Sequence, residues 1–213
     1  MQSYISLIRN TRLGAGEEGA VEISYYGHLQ SLIQRELNRD DSGVTGWRIE
    51  INFGVEGTFP DFSIYDCQDR TVARIEAKRP DESLEQILAN HPDQLKKYLD
   101  QSKSGHPHLY ITNFLSFQKV QLVDNVVEME GNATTIIESE NALLDVDLQA
   151  LNLEPLIESF RQLIQQITQL EPQEVNSING LNNLLGQVMW ASGSWIDRAA
   201  RSDNQQHIGF SNH

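Results

Sequence analysis

The chain has one cysteine, Cys67, among 213 residues. That excludes an intramolecular disulfide and a multi-cysteine zinc site, and it fits a reducing compartment. No run approaches the ~20 apolar residues needed to span a bilayer. Met1 to Asn10 lacks the apolar centre of a signal peptide. The expectation is a cytoplasmic protein. Basic residues are also scarce: 16 Lys and Arg stand against 30 Asp and Glu, a net charge of −14. Such a deficit weighs against a polyanionic ligand, because phosphate binding is driven by Lys and Arg. It is unevenly spread, however. Residues 1–108 hold 12 basic and 17 acidic groups, whereas 109–213 hold 4 and 13. Any phosphate contact therefore belongs to the first half. The remaining stock is that of a globular domain, with 39% hydrophobic residues available for a core.

Hydrophobic periodicity supplies the coarse plan. Residues 2–12 read as a short helix. From Val21 to Leu37, apolar residues recur every three or four positions, the pattern of an amphipathic helix. Residues 47–53 alternate strictly and read as a strand. Asp61 to Asp66 and Thr71 to Lys78 read as two more, with Phe62, Ile64, Cys67, Val72, Ala73, Ile75 and Ala77 as their apolar positions. Ser83 with Gln86 makes a capping box for a helix running towards Asn90. Pro92 restarts it at a first-turn position. Two further strands are expected at 109–112 and 117–123. Beyond Asn125 the pattern turns helical, at 151–170 and again at 181–200. The expected division is an α/β unit over 1–125 and a mainly helical extension or connector over 126–213.

One group of residues carries chemistry. Asp61 opens a strand, and Glu76-Ala77-Lys78 closes the next. Alternation puts Glu76 and Lys78 on one face. A hairpin would bring Asp61 to the same end as Glu76. Converging carboxylates repel each other, and a hard divalent cation with oxygen ligands resolves the repulsion. Mg²⁺ suits because it retains water positions, and it lowers the pKa of a bound water. The Lys78 ammonium can hold that water and meet charge developing on phosphorus. These are the ingredients of phosphodiester hydrolysis. Taken singly, Asp61 also reads as a turn residue, and Glu76 with Lys78 as a solvated strand face.

Gly57-Thr58-Phe59-Pro60-Asp61 and Glu76-Ala77-Lys78 resemble the signature of the PD-(D/E)xK nuclease superfamily. Gln94 and Tyr98, four apart on one helical face, resemble the QxxxY element on the following helix. Glu22 resembles the early helical glutamate that completes metal binding in such enzymes, with Glu36 and Glu56 as alternatives. Tyr110-Ile111-Thr112-Asn113 is similar to nuclease domains fused to adenine-specific DNA methyltransferases in single-chain restriction–modification enzymes. The resemblance covers residues 18–125. It implies an α+β fold with a restriction-endonuclease-like core: a mixed central sheet flanked by helices, here with a C-terminal helical extension. It implies Mg²⁺, or Mn²⁺ in its place, held by Glu22, Asp61, Glu76 and the Ala77 carbonyl. Asp61, Glu76, Lys78 and Gln94 form the implied catalytic set, and DNA is the partner. Arg74, Arg79, Lys96, Lys97 and Lys103 are the implied contacts to its backbone, which position the strand without reading sequence.

No Asn-Pro-Pro-aromatic methylase motif and no Gly-x-x-x-x-Gly-Lys loop is present. The chain therefore reads as an N-terminal nuclease fragment or its free-standing version. A methyltransferase or specificity domain would lie in the same chain or a separate subunit, and a homodimer would supply two active sites. A restriction or anti-phage role follows by analogy alone. The rival reading is an inactive nuclease fold used for DNA binding or protein assembly. Other motifs carry less. Gly14, Gly16 and Gly19 match a dinucleotide fingerprint without the strand that must precede it. His91, His106 and His108 make a weak zinc set. Trp190 and Trp195 read as core or interface, and Ser192 and Ser194 lack histidine–carboxylate partners.

Overall fold

The computed structural model describes residues 1–16, 20–39, 45–52, 59–102 and 108–170. The order is α1 (Gln2–Gly14), a 3₁₀ turn (Glu22–Tyr25), α2 (Tyr26–Leu37), β1 (Arg48–Ile51), β2 (Phe62–Tyr65) and β3 (Thr71–Ala77). Then follow α3 (Leu84–Asn90), α4 (Pro92–Ser102), β4 (His108–Thr112), β5 (Ser116–Val123), β6 (Val126–Thr135), α5 (Glu140–Asp145) and α6 (Leu153–Gln169). The six strands form one sheet in sequence order. All neighbours are antiparallel except β3 and β4, which run parallel across the α3–α4 connection. This is an α+β fold with a mixed sheet and helices on both sides.

Strand alternation builds the layers. Ile49, Phe62, Ile64, Ala73, Ile75, Ala77, Tyr110 and Phe117 face one way, into a core closed by α1, α2, α5 and α6. Leu109, Ile111, Val120 and Val127 face the other way, against Leu84, Ile87, Leu95, Tyr98 and Leu99 of α3 and α4. Burying an aliphatic or aromatic side chain contributes roughly 1.5–3 kcal/mol, so these two clusters dominate the stability. Over β1 and β2 the second face is different. Its side chains are Arg48, Glu50, Asn52, Ser63 and Tyr65; among the described residues they belong to neither apolar cluster, though Ser63 is buried.

The expected helices and strands of the first half are present. The helix expected from Val21 begins instead as the 3₁₀ turn Glu22–Tyr25 and becomes α-helical only at Tyr26. The first strand is shorter than expected, Arg48–Ile51. Cys67, an apolar candidate that also opens the polar segment Cys67-Gln68-Asp69-Arg70, is exposed in the β2–β3 turn. The capping box is formed: Ser83 Oγ accepts from the Gln86 N–H, and the Gln86 side chain accepts from the Ser83 N–H.

Beyond residue 125 the chain first continues the sheet. Asp124 and Asn125 both have positive φ, 47° and 70°, and Val123 pairs with Val126. A two-residue turn of this kind reverses the chain into a hairpin, so residues 126–135 are strand β6 rather than helical extension. The unit that holds the sheet continues through α6 to Gln173. The helix expected at 151–170 is α6, and the one expected at 181–200 lies outside the described residues.

Candidate active site

The β2–β3 hairpin does what the two sequence motifs require. Phe62 pairs with Ile75 and Ser63 with Arg74, so Asp61 stands opposite Glu76. One Asp61 carboxylate oxygen, Oδ2, accepts the Ala77 backbone N–H at 2.7 Å, and Oδ1 accepts the Tyr26 hydroxyl. Glu76 is 2% exposed. Its Oε1 accepts from Lys78 Nζ at 2.6 Å and from Gln94 Nε2 at 2.8 Å. Gln94 is held in turn by the Tyr98 hydroxyl at 2.9 Å, and Tyr98 donates to the Phe59 carbonyl. The Lys78 N–H donates to the Thr112 carbonyl, so β4 fixes the backbone from which the ammonium projects. Glu22 enters from the 3₁₀ turn. Its Oε1 accepts the Tyr26 hydroxyl at 2.6 Å, and its Oε2 lies 3.8 Å from Lys78 Nζ. Glu22, Asp61, Glu76, Lys78 and Gln94 are thus brought together around Tyr26, with Ala77 between the two strands' carboxylates.

The electrostatics are those of a crowded, half-dry acidic pocket. Burial raises the Glu76 pKa first, and the Asp61 charge adds to it, while Lys78 pulls back; the group is pushed up to about 8. Burial raises Asp61 and Glu22 as well, against the hydrogen bonds and the Lys78 charge that favour their ionised forms. Burial alone would lower Lys78, but Glu76 and Glu22 outweigh it and hold the ammonium up. Desolvation and like charge together disfavour ionised carboxylates, and a cation placed among them relieves both.

One atom gives a test of whether a metal fits. Glu76 Oε2 is buried and has no hydrogen-bond partner. A buried carboxylate oxygen left unpaired is costly, and a hard cation is the partner such an oxygen suits. Among the described residues, no three His, Cys, Asp or Glu side chains stand ready as a metal cage, because Tyr26 and Lys78 stand between the acids. Mg²⁺ does not need one, since it binds through one or two carboxylates and keeps several waters. The residues present fit that group.

The other sequence-stated residues are scattered. Glu36 is engaged by Arg39 and Arg161 at the far end of α2, so it is no substitute for Glu22. Arg79 pairs with Asp81 on the surface; Lys96 is half-buried and Lys97 exposed on α4. Arg74 is not on the surface. It is 6% exposed, on the same face of β3 as Glu76. Lys103, Glu56, Gly57, Thr58, His106, Trp190, Trp195, Ser192 and Ser194 lie outside the described residues, as does Gly19 of the glycine-rich segment. His91 sits 3.5 Å from Glu82. Asn113 serves the fold: its Oδ1 accepts from the N–H groups of Leu115 and Ser116 in the β4–β5 turn, and its Nδ2 donates to the Glu82 carbonyl. Tyr26 was not singled out from the sequence. Its spacing of four from Glu22 was the available signal, the same spacing that joins Gln94 to Tyr98.

No family model matches the chain, and no curated protein matches it. Among solved structures it is similar to a chain of the cryo-electron-microscopy structure of a DrdV–DNA complex, at 13% identity and a TM-score of 0.45. The match covers 81% of this chain and 14% of the other, so the present chain spans a small part of that protein. Among the described residues, no helix is long and apolar enough to cross a membrane.

Proposed function

We propose that the chain is a metal-dependent nuclease domain that hydrolyses DNA phosphodiester bonds. The observation that carries this reading is the unpartnered, buried Glu76 Oε2 beside Asp61, with Lys78 Nζ on the other oxygen of the same carboxylate. Asp61 and Glu76, with Glu22 and the Ala77 carbonyl, are the groups to hold Mg²⁺ or Mn²⁺. When bound, the ion supplies Lewis acidity to a phosphoryl oxygen and acidity to a water. Lys78 presents an ammonium, kept charged by Glu76 and Glu22, to the attacking water and to the charge that develops on phosphorus. Glu76 Oε1 aims that ammonium, and Gln94 fixes Glu76. The Ala77 N–H and the Tyr26 hydroxyl fix both oxygens of Asp61. Arg79, Lys96, Lys97 and Lys103 are the proposed contacts to the DNA backbone. A place in restriction or anti-phage defence, beside a methyltransferase and as a dimer, rests on the motif resemblance.

A second reading has one observation in its favour. Lys78 already pairs with Glu76 without a metal, and no three-ligand cage stands among the described residues. That arrangement suits a nuclease fold retained for DNA binding or assembly. Plasmid nicking with Mg²⁺ or Mn²⁺ separates the two. Cleavage abolished by both Asp61→Ala and Lys78→Ala supports the nuclease. Intact plasmid at high protein concentration, with no heat of metal binding by calorimetry, rejects it.

A further inference from the structure

β1 stands at one end of the strand order, so among the described residues one of its edges has no strand beside it. Such an edge carries a row of backbone N–H and C=O groups to which another chain can pair. Alternation says which groups these are. The Asn52 N–H donates to the Asp61 carbonyl. Asn52 and Glu50 therefore bond inwards to β2, and Trp47, Ile49 and Ile51 turn their backbone groups outwards. Three of those outward groups are taken by side chains of α2. Gln34 Oε1 accepts the Ile49 N–H at 3.0 Å, and Gln34 Nε2 donates to the Trp47 carbonyl at 3.0 Å. Gln30 Nε2 donates to the Ile49 carbonyl at 3.1 Å. The two glutamines are four apart, hence on one helical face, and both are half-buried. A carboxamide has the donor and the acceptor of a peptide group, so the pair stands where a neighbouring strand would bond. The apolar packing of α2 does not need them; it is made by Tyr26, Leu29, Leu32, Ile33 and Leu37.

Without the glutamines this edge is complementary to itself. Consider a two-fold antiparallel pair with Ile49 opposite Ile49 of a second copy. The two Ile49 residues then exchange their N–H and C=O groups, and each Trp47 carbonyl meets the Ile51 N–H across the pair. The same register sets Arg48 opposite Glu50 at both ends, a favourable cross-strand charge pair. The occupant this edge fits is therefore a second copy of the chain, in a closed two-fold contact. We propose that Gln30 and Gln34 are a guard that keeps β1 from pairing with β1 of a second copy. With the guard in place, self-pairing only exchanges existing hydrogen bonds for new ones, and the entropy lost on association is not recovered. With it removed, the Ile49 groups find partners in water or in a second copy. This guard goes beyond the nuclease reading and does not depend on it.

The full chain is tested by sedimentation equilibrium over a concentration series, with circular dichroism to show that each variant is folded. Gln30→Ala with Gln34→Ala should self-associate about tenfold more tightly than the parent, roughly the worth of one recovered hydrogen bond. Adding Arg48→Glu should return association to the parent level, because like charges then face each other across the pair. Adding Glu50→Arg as well should restore the tighter association. Hydrogen exchange supplies a second reading. The Ile49 amide should exchange slowly in the parent, fast in the dilute double variant, and slowly again when that variant is concentrated. If the double variant does not fold, Gln34→Ala alone frees the Trp47 carbonyl and the Ile49 N–H and is measured in the same way. A folded variant that sediments as the parent does overturns the proposal. So does tighter association that ignores the charges at positions 48 and 50, because another surface is then responsible.

Discussion

The Tyr26 hydroxyl touches two carboxylates at once, Glu22 Oε1 and Asp61 Oδ1. A phenol has one hydrogen to give, so it bridges the pair and holds them apart without neutralising them. Its ring is packed against Phe62 and Phe114, which fixes the hydroxyl in space. Tyr26→Phe keeps that packing and leaves two facing acids without their bridge. The metal-free variant should lose about 1–3 kcal/mol, or roughly 2–12 °C in Tm at about 2–4 °C per kcal/mol. Its Tm gain on adding Mg²⁺ should exceed that of the parent, because the ion then relieves a larger repulsion. Differential scanning calorimetry in chelator and in Mg²⁺ reads both. An unchanged metal-free Tm would show that the bridge contributes nothing.

The pH dependence of stability follows from the same crowding. Glu76 has its folded pKa raised to about 8, and Asp61 and Glu22 move in the same direction, all with burial as the first cause. An acid raised in this way holds its proton more tightly folded than unfolded. Its contribution to stability is complete below the ordinary carboxylate range and is lost as pH rises through the folded value. The Tm in chelator should therefore fall between pH 5 and pH 8, and Glu76→Gln should flatten the fall. Mg²⁺ should raise Tm more at pH 8 than at pH 5, since its ligands must be ionised. Parallel slopes for parent and variant would remove Glu76 as the cause.

Much of this site was legible in the sequence, for a local reason. Strand alternation fixes which side chains share a face, so Glu76 and Lys78 project together once Thr71 to Ala77 is a strand, and a short polar turn makes its antiparallel neighbour start at Asp61. The Ser83–Gln86 box and the spacing of Gln94 and Tyr98 are equally local. Two things were missed where the signal was weak or split. In β6 only Val127 and Met129 alternate as apolar residues before Gly131, at φ 75°, interrupts the pattern. The Asp124–Asn125 turn was the better sign of a returning strand. Arg74 looked like a surface cation because charge suggests exposure. Its burial depends on α4 covering β3 from a distant part of the chain, which no window around residue 74 contains.

Gln94 tests how far positioning matters. It does not project as an acid or a base; it donates to Glu76 Oε1 and rests on Tyr98. Gln94→Ala frees Glu76 to rotate about Lys78. Loss of a group that orients a metal ligand costs about 10–100-fold in affinity or activity. The loss should fall on kcat and on metal affinity, with KM for DNA within a few-fold of the parent. Gln94→Glu adds a fourth acid to the pocket and should be worse than alanine. A Gln94→Ala effect confined to KM would make this residue a DNA contact instead.

Lys96 and Lys97 separate electrostatic tracking from chemistry. Both lie on α4, one turn or less from Gln94, on a helix whose buried face is Leu95, Tyr98 and Leu99. If they track the backbone, Lys96→Gln with Lys97→Gln removes two phosphate contacts. The slope of log affinity against log salt should then shrink by about 1.4–1.8, at 0.7–0.9 per contact for single and double strands. Cleavage at saturating DNA should stay near the parent rate, because the hydrogen bonds given for Asp61 and Glu76 come from Tyr26, Ala77, Lys78 and Gln94. The chain's net charge of −14 sharpens this test: with so few cations on offer, two lost contacts are a large share of any footprint. An unchanged salt slope would place the DNA on another face of the domain.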